Sequence, residues 1–338
     1  MKGIVCNQPK EFTFIKDMKA PTIKQGEVLI QIKRVGICGT DLHAYMGNQP
    51  FFEYPRVLGH ELSGVIESVG EEVKEFNVGD QVAVIPYMHC GTCSACLAGK
   101  TNCCESLKVL GVHTDGGMRE KIAVPETHVI KTNHLSLDHA ALIEPLAIGA
   151  HAVNRAELQA GENVLVIGAG PIGLGVMAFA KRKGAIVTAL DINEERLTFC
   201  REWGQVNHTI CSSKPTEAEL REAMGALPTV VFDATGNVHS MTQAFNYVGF
   251  GGKLVYVGLV KQDLTFHDPD FHKKELTLLG SRNAAKKDFE DVAQLLESKQ
   301  YDMDAYITHR CEFDELIDTF EEWLKPETKV IKAMVALS

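Results

Sequence analysis

Two patterns of apolar and polar positions divide the chain. From Asn163 to about Gly280, short β-rich runs recur at Val164–Gly168, Ile186–Asp191, Asn207–Cys211, Val230–Ala234, Lys253–Gly258 and Leu276–Gly280. Stretches of helical composition lie between most of them, such as Asn193–Trp203, Glu217–Met224 and Val238–Val248. Apolar strands alternating with helices predict an α/β fold with a doubly wound parallel sheet. The first 145 residues follow another rule. Strands are expected at Val28–Val35, Ser63–Val69, Gln81–Ile85 and Met118–Val124, separated by turns containing Gly and Pro, as in a β-rich, barrel-like unit. After Gly280 the pattern predicts a helix around Asp288–Ser298, another around Phe313–Leu324, and a strand over Lys329–Leu337. That tail reads as a return to the first unit rather than a third one.

A chain of 338 residues predicts two domains, each able to bury a core without staples. The 17-residue apolar run Val164–Ala180 is slightly short for a membrane span and contains four glycines and Pro171, so a strand turning into a helix explains it better. The opening segment has no uninterrupted apolar stretch of signal-peptide type, and a cytoplasmic location is expected, with no membrane partner. Acidic residues outnumber basic ones 44 to 34, and no basic stripe breaks the pattern, which argues against nucleic acid as a partner.

The first chemistry lies where the strand before Gly168 becomes a helix. Gly168-Ala-Gly170-Pro171-Ile172-Gly173 supplies a tight turn, a bare backbone for a pyrophosphate and a close helix–strand contact. The N–H groups that open the helix would receive the phosphates. A lone GxGxxG arises by chance, but here Asp191 ends the next strand, 18 residues beyond Gly173. A Rossmann dinucleotide site is therefore expected here. Its carboxylate suits ribose hydroxyls and would repel a 2′-phosphate, so NAD is the expected cofactor, with Pro171, Ile172 and Arg196 completing the contact set.

Five of the ten cysteines crowd between positions 90 and 104. Cys90, Cys93, Cys96 and Cys104 form C-x2-C-x2-C-x7-C, and four thiolates on one loop can close around zinc with no open position. The spacing departs from the ferredoxin pattern, whose last gap is three residues and is followed by proline. Cys103 adjoins the last ligand, while Cys6, Cys200, Cys211 and Cys311 are scattered small hydrophobes. A second set is Cys38-Gly-Thr40-Asp41-Leu-His43, Gly59-His60-Glu61 and Glu144-Pro145. Singly these are ordinary polar residues. Together they offer thiolate, imidazole and carboxylate, the donors of a catalytic zinc with one position left open.

With both metal motifs preceding the glycine fingerprint, the chain resembles the zinc-dependent medium-chain alcohol and polyol dehydrogenases over essentially its full length. The resemblance implies a GroES-like zinc catalytic domain from residues 1–147 and 282–338, and a Rossmann NAD-binding domain from 148–281. It implies two zinc ions per chain, one catalytic and one structural. Cys38 and His60 match ligands of the catalytic ion, and either Glu61 or Glu144 completes the set. Asp41 matches a residue that orients the imidazole, and Thr40 and His43 match a proton relay. A homodimer or homotetramer is expected.

A finer likeness is to the sorbitol-dehydrogenase-like branch, and within it to the L-gulonate and L-galactonate 5-dehydrogenase group. It rests on Asn48-Gln-Pro-Phe51-Phe52, Tyr54-Pro-Arg56-Val-Leu-Gly-His60-Glu61, Gly111-Val-His113-Thr-Asp-Gly116-Gly117, Phe271-His-Lys-Lys-Glu-Leu and Gly280-Ser-Arg282-Asn283-Ala. The implied substrate is a hexonate oxidised at carbon 5. Arg282 would meet its carboxylate bidentately, with Asn283 beside it, and Tyr45, Phe51 and Phe52 would wall the pocket. The alternatives are a polyol dehydrogenase of sorbitol or galactitol-phosphate type, and a nucleotide-binding regulatory protein without catalysis. The presence of Cys38 and His60 speaks against the latter.

Overall fold

The computed structural model describes residues 1–49 and 52–338, so Phe51, an expected pocket residue, lies outside the described residues. In chain order the strands are β1 (Gly3–Gln8), β2 (Glu11–Ile15), β3 (Glu27–Ile37), β4 (Glu61–Val69), β5 (Gln81–Val84), β6 (Tyr87–Met88), β7 (Lys108–Val109), β8 (Lys121–Pro125) and β9 (Val129–Lys131). Then follow β10 (Asn163–Ile167), β11 (Ile186–Asp191), β12 (His208–Cys211), β13 (Val230–Asp233), β14 (Lys253–Tyr256), β15 (Thr277–Gly280), β16 (Ile307–Glu312) and β17 (Lys332–Ala336). The chain divides into two units, Met1–Glu144 with Ala285–Ser338, and Pro145–Ala284.

In the first unit β3 is the organising strand. Val28, Ile30, Ile32 and Val35 are fully buried, and β-branched side chains fit such a pleated, packed surface. One edge of β3 pairs antiparallel with β4; the other pairs with β8 along Glu27–Gln31 and with β17 along Arg34–Ile37. The sheet runs β16-β17-β3-β4-β5-β9, so residues from both ends of the sequence meet beside β3. The hairpin of β1 and β2 lies outside the expected strands.

The second unit holds the six-stranded sheet β12-β11-β10-β13-β14-β15, parallel throughout. This is the doubly wound order that places ligands at the carboxyl ends of the strands where the order reverses. Val164, Leu165 and Val166 of β10 are fully buried, as expected of a strand covered on both faces. Residues Pro171–Arg182 form the helix that follows.

Two expectations for the tail change. The region Phe313–Leu324 is not one helix but a 3₁₀ turn, a short α-helix Leu316–Phe320 and a second 3₁₀ turn. Thr319 donates its hydroxyl back to Glu315 O at 2.9 Å, an arrangement that bends helices. The last strand starts at Lys332 rather than Lys329, because Lys329 takes φ +53° after the 3₁₀ turn Pro326–Thr328. Among the described residues no helix is long and apolar enough to cross a membrane.

Candidate functional site

The end of β3 delivers Cys38, which precedes the helix Gly39–Tyr45. Asp41, buried in the first turn, accepts Cys38 N–H at 3.0 Å and Gly59 N–H at 3.0 Å. One carboxylate thus ties the Cys38 turn to the turn that leads into β4, where Gly59 takes φ +90°. His60 and Glu61 follow and are buried; Glu144 reaches the same group from the first turn of the helix Ile143–Arg155. Cys38 and Glu144 both act on His60, holding its charged form by their own negative charge.

Asp41 Oδ1 stands 3.7 Å from His60 Nδ1, near enough to interact by charge but too far for a hydrogen bond. His60 Nδ1 is buried with no hydrogen-bond partner. Burial disfavours the imidazolium, but Asp41, Cys38 and Glu144 outweigh it and raise the His60 pKa well above its ordinary value. Burial, with Glu61 adding to it, also pushes the Glu144 carboxyl up to about 7. Negative groups exceed positive ones here, and a cation is what such a cluster lacks. Thiol, imidazole and carboxylate are the donor types that a catalytic zinc takes, although among the described residues only the four-cysteine loop already brings its ligand atoms within 4.8 Å of one another.

Three residues of this cluster escaped the sequence reading. Lys332 on β17 is 2% exposed and donates to Glu61 Oε1 at 2.6 Å, Glu61 Oε2 at 2.7 Å and Ile37 O at 3.1 Å. The available signal was a lone cation inside the apolar run Val330–Val335, since a buried lysine needs a partner. Gly36 on β3 is the second: a Cβ there would lie 2.2 Å from Glu61 Oε2. The third is Tyr87, a buried residue whose hydroxyl donates to Glu144 Oε1.

The four cysteines of the loop also converge. Their sulfurs all lie within 4.8 Å of one another, compatible with a tetrahedron of thiolates about one zinc ion. Cys104 Sγ accepts Cys90 N–H at 3.3 Å, and Cys90 Sγ accepts the N–H groups of Thr92 and Cys93 at 3.5 and 3.3 Å. Hydrogen bonds from Thr92 and Cys93 bring the Cys90 thiol down to about 6, towards the thiolate a metal needs.

At the glycine turn, Gly168 takes φ +98°, and a Cβ on Gly173 would lie 1.8 Å from Gly168 O. Nothing stands within 4 Å of the position a Cβ would take on Gly170, so the backbone is open to a phosphate there. Pro171 and Ile172 start the helix, for which Gly170 is the N-cap. Asp191 Oδ2 accepts Ala169 N–H at 2.7 Å, and its Oδ1 accepts Asn193 N–H at 2.9 Å. The carboxylate is therefore fixed beside the turn, next to an exposed Ile192 and an exposed Arg196 one helical turn on.

The remaining predicted residues scatter. Thr40 is half-buried and His43 exposed, on one short helix. Tyr45 packs into the core, its ring 4.8 Å from Phe12 and 5.1 Å from Phe320, its hydroxyl 2.7 Å from Glu321 Oε1. Phe52 is half-buried and packs edge-on against Tyr54. Arg282 is exposed after β15, and Asn283 follows with φ +52° and a buried, unpartnered Nδ2.

Comparison with known proteins matches a family described as Alcohol dehydrogenase GroES-like domain to residues 24–134, and one described as Zinc-binding dehydrogenase to residues 171–298. The chain is 46% identical to L-galactonate-5-dehydrogenase of Escherichia coli, over 99% of this chain and 98% of that protein. It is 32% identical to sorbitol dehydrogenase of Bacillus subtilis, over 99% and 97% of the two chains. A crystal structure of an Escherichia coli alcohol dehydrogenase complexed with NADH superposes with a TM-score of 0.92 at 33% identity, covering 99% of each chain.

Proposed function

Because the chain belongs to the zinc-dependent medium-chain alcohol and polyol dehydrogenases, we propose that it oxidises carbon 5 of a hexonate with NAD. L-gulonate would give D-fructuronate, or L-galactonate would give D-tagaturonate. The coarser statement stands by itself: this is an oxidoreductase acting on CH–OH groups, of a family that uses zinc and NAD. The likeness to the L-galactonate enzyme along almost the whole chain carries the sugar-acid reading.

Cys38, His60 and one of Glu61 and Glu144 would hold the catalytic zinc, and Cys90, Cys93, Cys96 and Cys104 a structural one, making two per chain. When bound, zinc supplies a Lewis acid that acidifies the substrate hydroxyl, and NAD supplies the hydride acceptor. The chain's own part is positioning and proton traffic. Thr40 and His43, three residues apart on one helix, would pass the hydroxyl proton from a half-buried position to an exposed one. Gly168, Gly170, Pro171, Ile172 and Gly173 would cradle the pyrophosphate, Asp191 would take the ribose hydroxyls, and Arg196 would flank them. Arg282 would meet the carboxylate, and Asn283 Nδ2 would donate to a neighbouring hydroxyl. The exposed edge strand β15 supports assembly as a homodimer or homotetramer.

The test is NADH formation with L-gulonate, L-galactonate, sorbitol, galactitol 1-phosphate and L-threonine. A hexonate should give the highest kcat/KM. Arg282→Ala should lower that value by about thirtyfold, or roughly 2 kcal/mol, while barely touching a neutral hexitol. A wild-type preference for sorbitol would replace this reading with the polyol one, which the likeness to sorbitol dehydrogenase favours.

A further inference from the structure

Two buried carboxylates, Glu61 and Glu144, belong to this cluster, and their hydrogen-bond partners differ in kind. Glu61 has a cation: Lys332 Nζ engages both of its oxygens, at 2.6 and 2.7 Å. Glu144 has a neutral donor on one oxygen: Tyr87 OH bonds Oε1, and Oε2 accepts no hydrogen bond among the described residues. An oxygen that accepts no hydrogen bond can turn to a cation without breaking one, whereas Glu61 would first have to give up its lysine. The asymmetry therefore marks Glu144, rather than Glu61, as the carboxylate prepared for a metal.

Tyr87 makes that preparation specific. A carboxylate on a two-carbon stem can present either oxygen, and a hydroxyl fixed on Oε1 removes one choice. The hydroxyl is held in turn by its ring, which is buried and packs edge-on against Phe289 with centroids 6.1 Å apart. We propose that Tyr87 is a positioning residue of the metal centre: it pins Oε1 of Glu144 and leaves Oε2 to complete the donor set of Cys38 and His60, while Lys332 keeps Glu61 out of it. This rests on the reading of that cluster as a zinc site, and it is independent of which substrate is oxidised.

Tyr87→Phe is the informative variant, since it keeps the ring and its packing and deletes only the hydroxyl. Starting from the zinc-loaded protein, competition with a chromophoric chelator reads the affinity of each site. Cobalt substitution reads the geometry, because a one-thiolate site and a four-thiolate site absorb differently. Tyr87→Phe should weaken the Cys38 site ten- to a hundredfold, the range seen when a group that orients a metal ligand is removed. Its cobalt bands should shift, with the four-cysteine site unchanged and a wild-type urea unfolding curve serving as the check that the protein is folded. In the Glu144→Gln background the same change should have little further effect, because the hydroxyl acts through Glu144. Affinity and cobalt spectrum like the wild type in Tyr87→Phe would overturn the proposal, as would a full effect in the Glu144→Gln background. A wild-type protein that binds metal only at the four-cysteine loop would overturn the metal-centre reading and this proposal with it.

Discussion

The two clusters of candidate metal ligands in the first unit are built in opposite ways. The four cysteines come from one stretch between Cys90 and Cys104, closed by hydrogen bonds from its own backbone onto its own sulfurs. The other cluster gathers Cys38 after β3, His60 and Glu61 at the start of β4, Tyr87 on β6, Glu144 on a helix and Lys332 on β17. The loop is partly exposed; the second cluster is nearly all buried. A contiguous loop can form its site with local chain entropy alone, whereas the gathered site exists only when the sheet does. On the proposed reading, the first would hold a loop and the second would place reactive groups where water is scarce.

The sharpest way to break this contrast is to remove one cysteine from each cluster. Cys38→Ala should cut turnover by about a thousandfold, roughly 4 kcal/mol on the barrier, with the fold retained. Cys93→Ser should instead cost stability, up to about 3 kcal/mol, the chain entropy of closing a loop of some 15 residues. Turnover per folded molecule should largely remain. Zinc analysis, urea unfolding and NADH formation on both variants check it, and equal losses of activity would end the distinction.

A second test concerns how the gathered cluster tolerates its own charges. Lys332→Met should leave Glu61 buried without a counter-ion and destabilise the protein by about 3–5 kcal/mol. Adding Glu61→Gln should recover much of that, a coupling read by urea unfolding of the four members of the cycle. If the single Lys332 variant unfolds like the wild type, the pair is not what holds Glu61.

The smallest expected effect lies in the other unit. Asp191 is fixed by two backbone N–H groups, so its charge stays beside the glycine turn. NAD should exceed NADP in kcat/KM by at least about tenfold, or 1.4 kcal/mol, and Asp191→Ser should narrow the gap. Equal use of both cofactors by the wild type would contradict it.

What was legible in the sequence follows the same divide between contiguous and gathered. β11 and the helix Glu217–Met224 fall on their predicted residues, and the glycine turn lies between the strand and helix expected of it. Each of these is encoded within one short window. The hairpin of β1 and β2 was not legible, because Asn7-Gln-Pro-Lys-Glu11 interrupts its alternation. The helix Ile143–Arg155 was missed because Pro145 and Gly149, residues that usually interrupt helices, sit inside its sequence. Cys38, His60 and Glu144 were singled out by residue type and by resemblance, but Tyr87, Gly36 and Lys332 have roles only through partners distant in sequence. Tyr45 shows the converse: the sequence places it near a predicted ligand, but its packing against Phe12 and Phe320 appears only in the fold.

The pairing of Lys332 with Glu61 also sets an order of events during synthesis. β3 and β4 leave the ribosome first, carrying Glu61, and the whole parallel sheet is made before β17 exists. Domains tend to fold as units while the chain grows. The second unit can therefore be finished while the first sheet still lacks β16 and β17 and Glu61 lacks its cation. Contacts of such high sequence separation form slowly, so the interval in which the nascent chain holds one complete unit and one unfinished one is when holdase chaperones would find it.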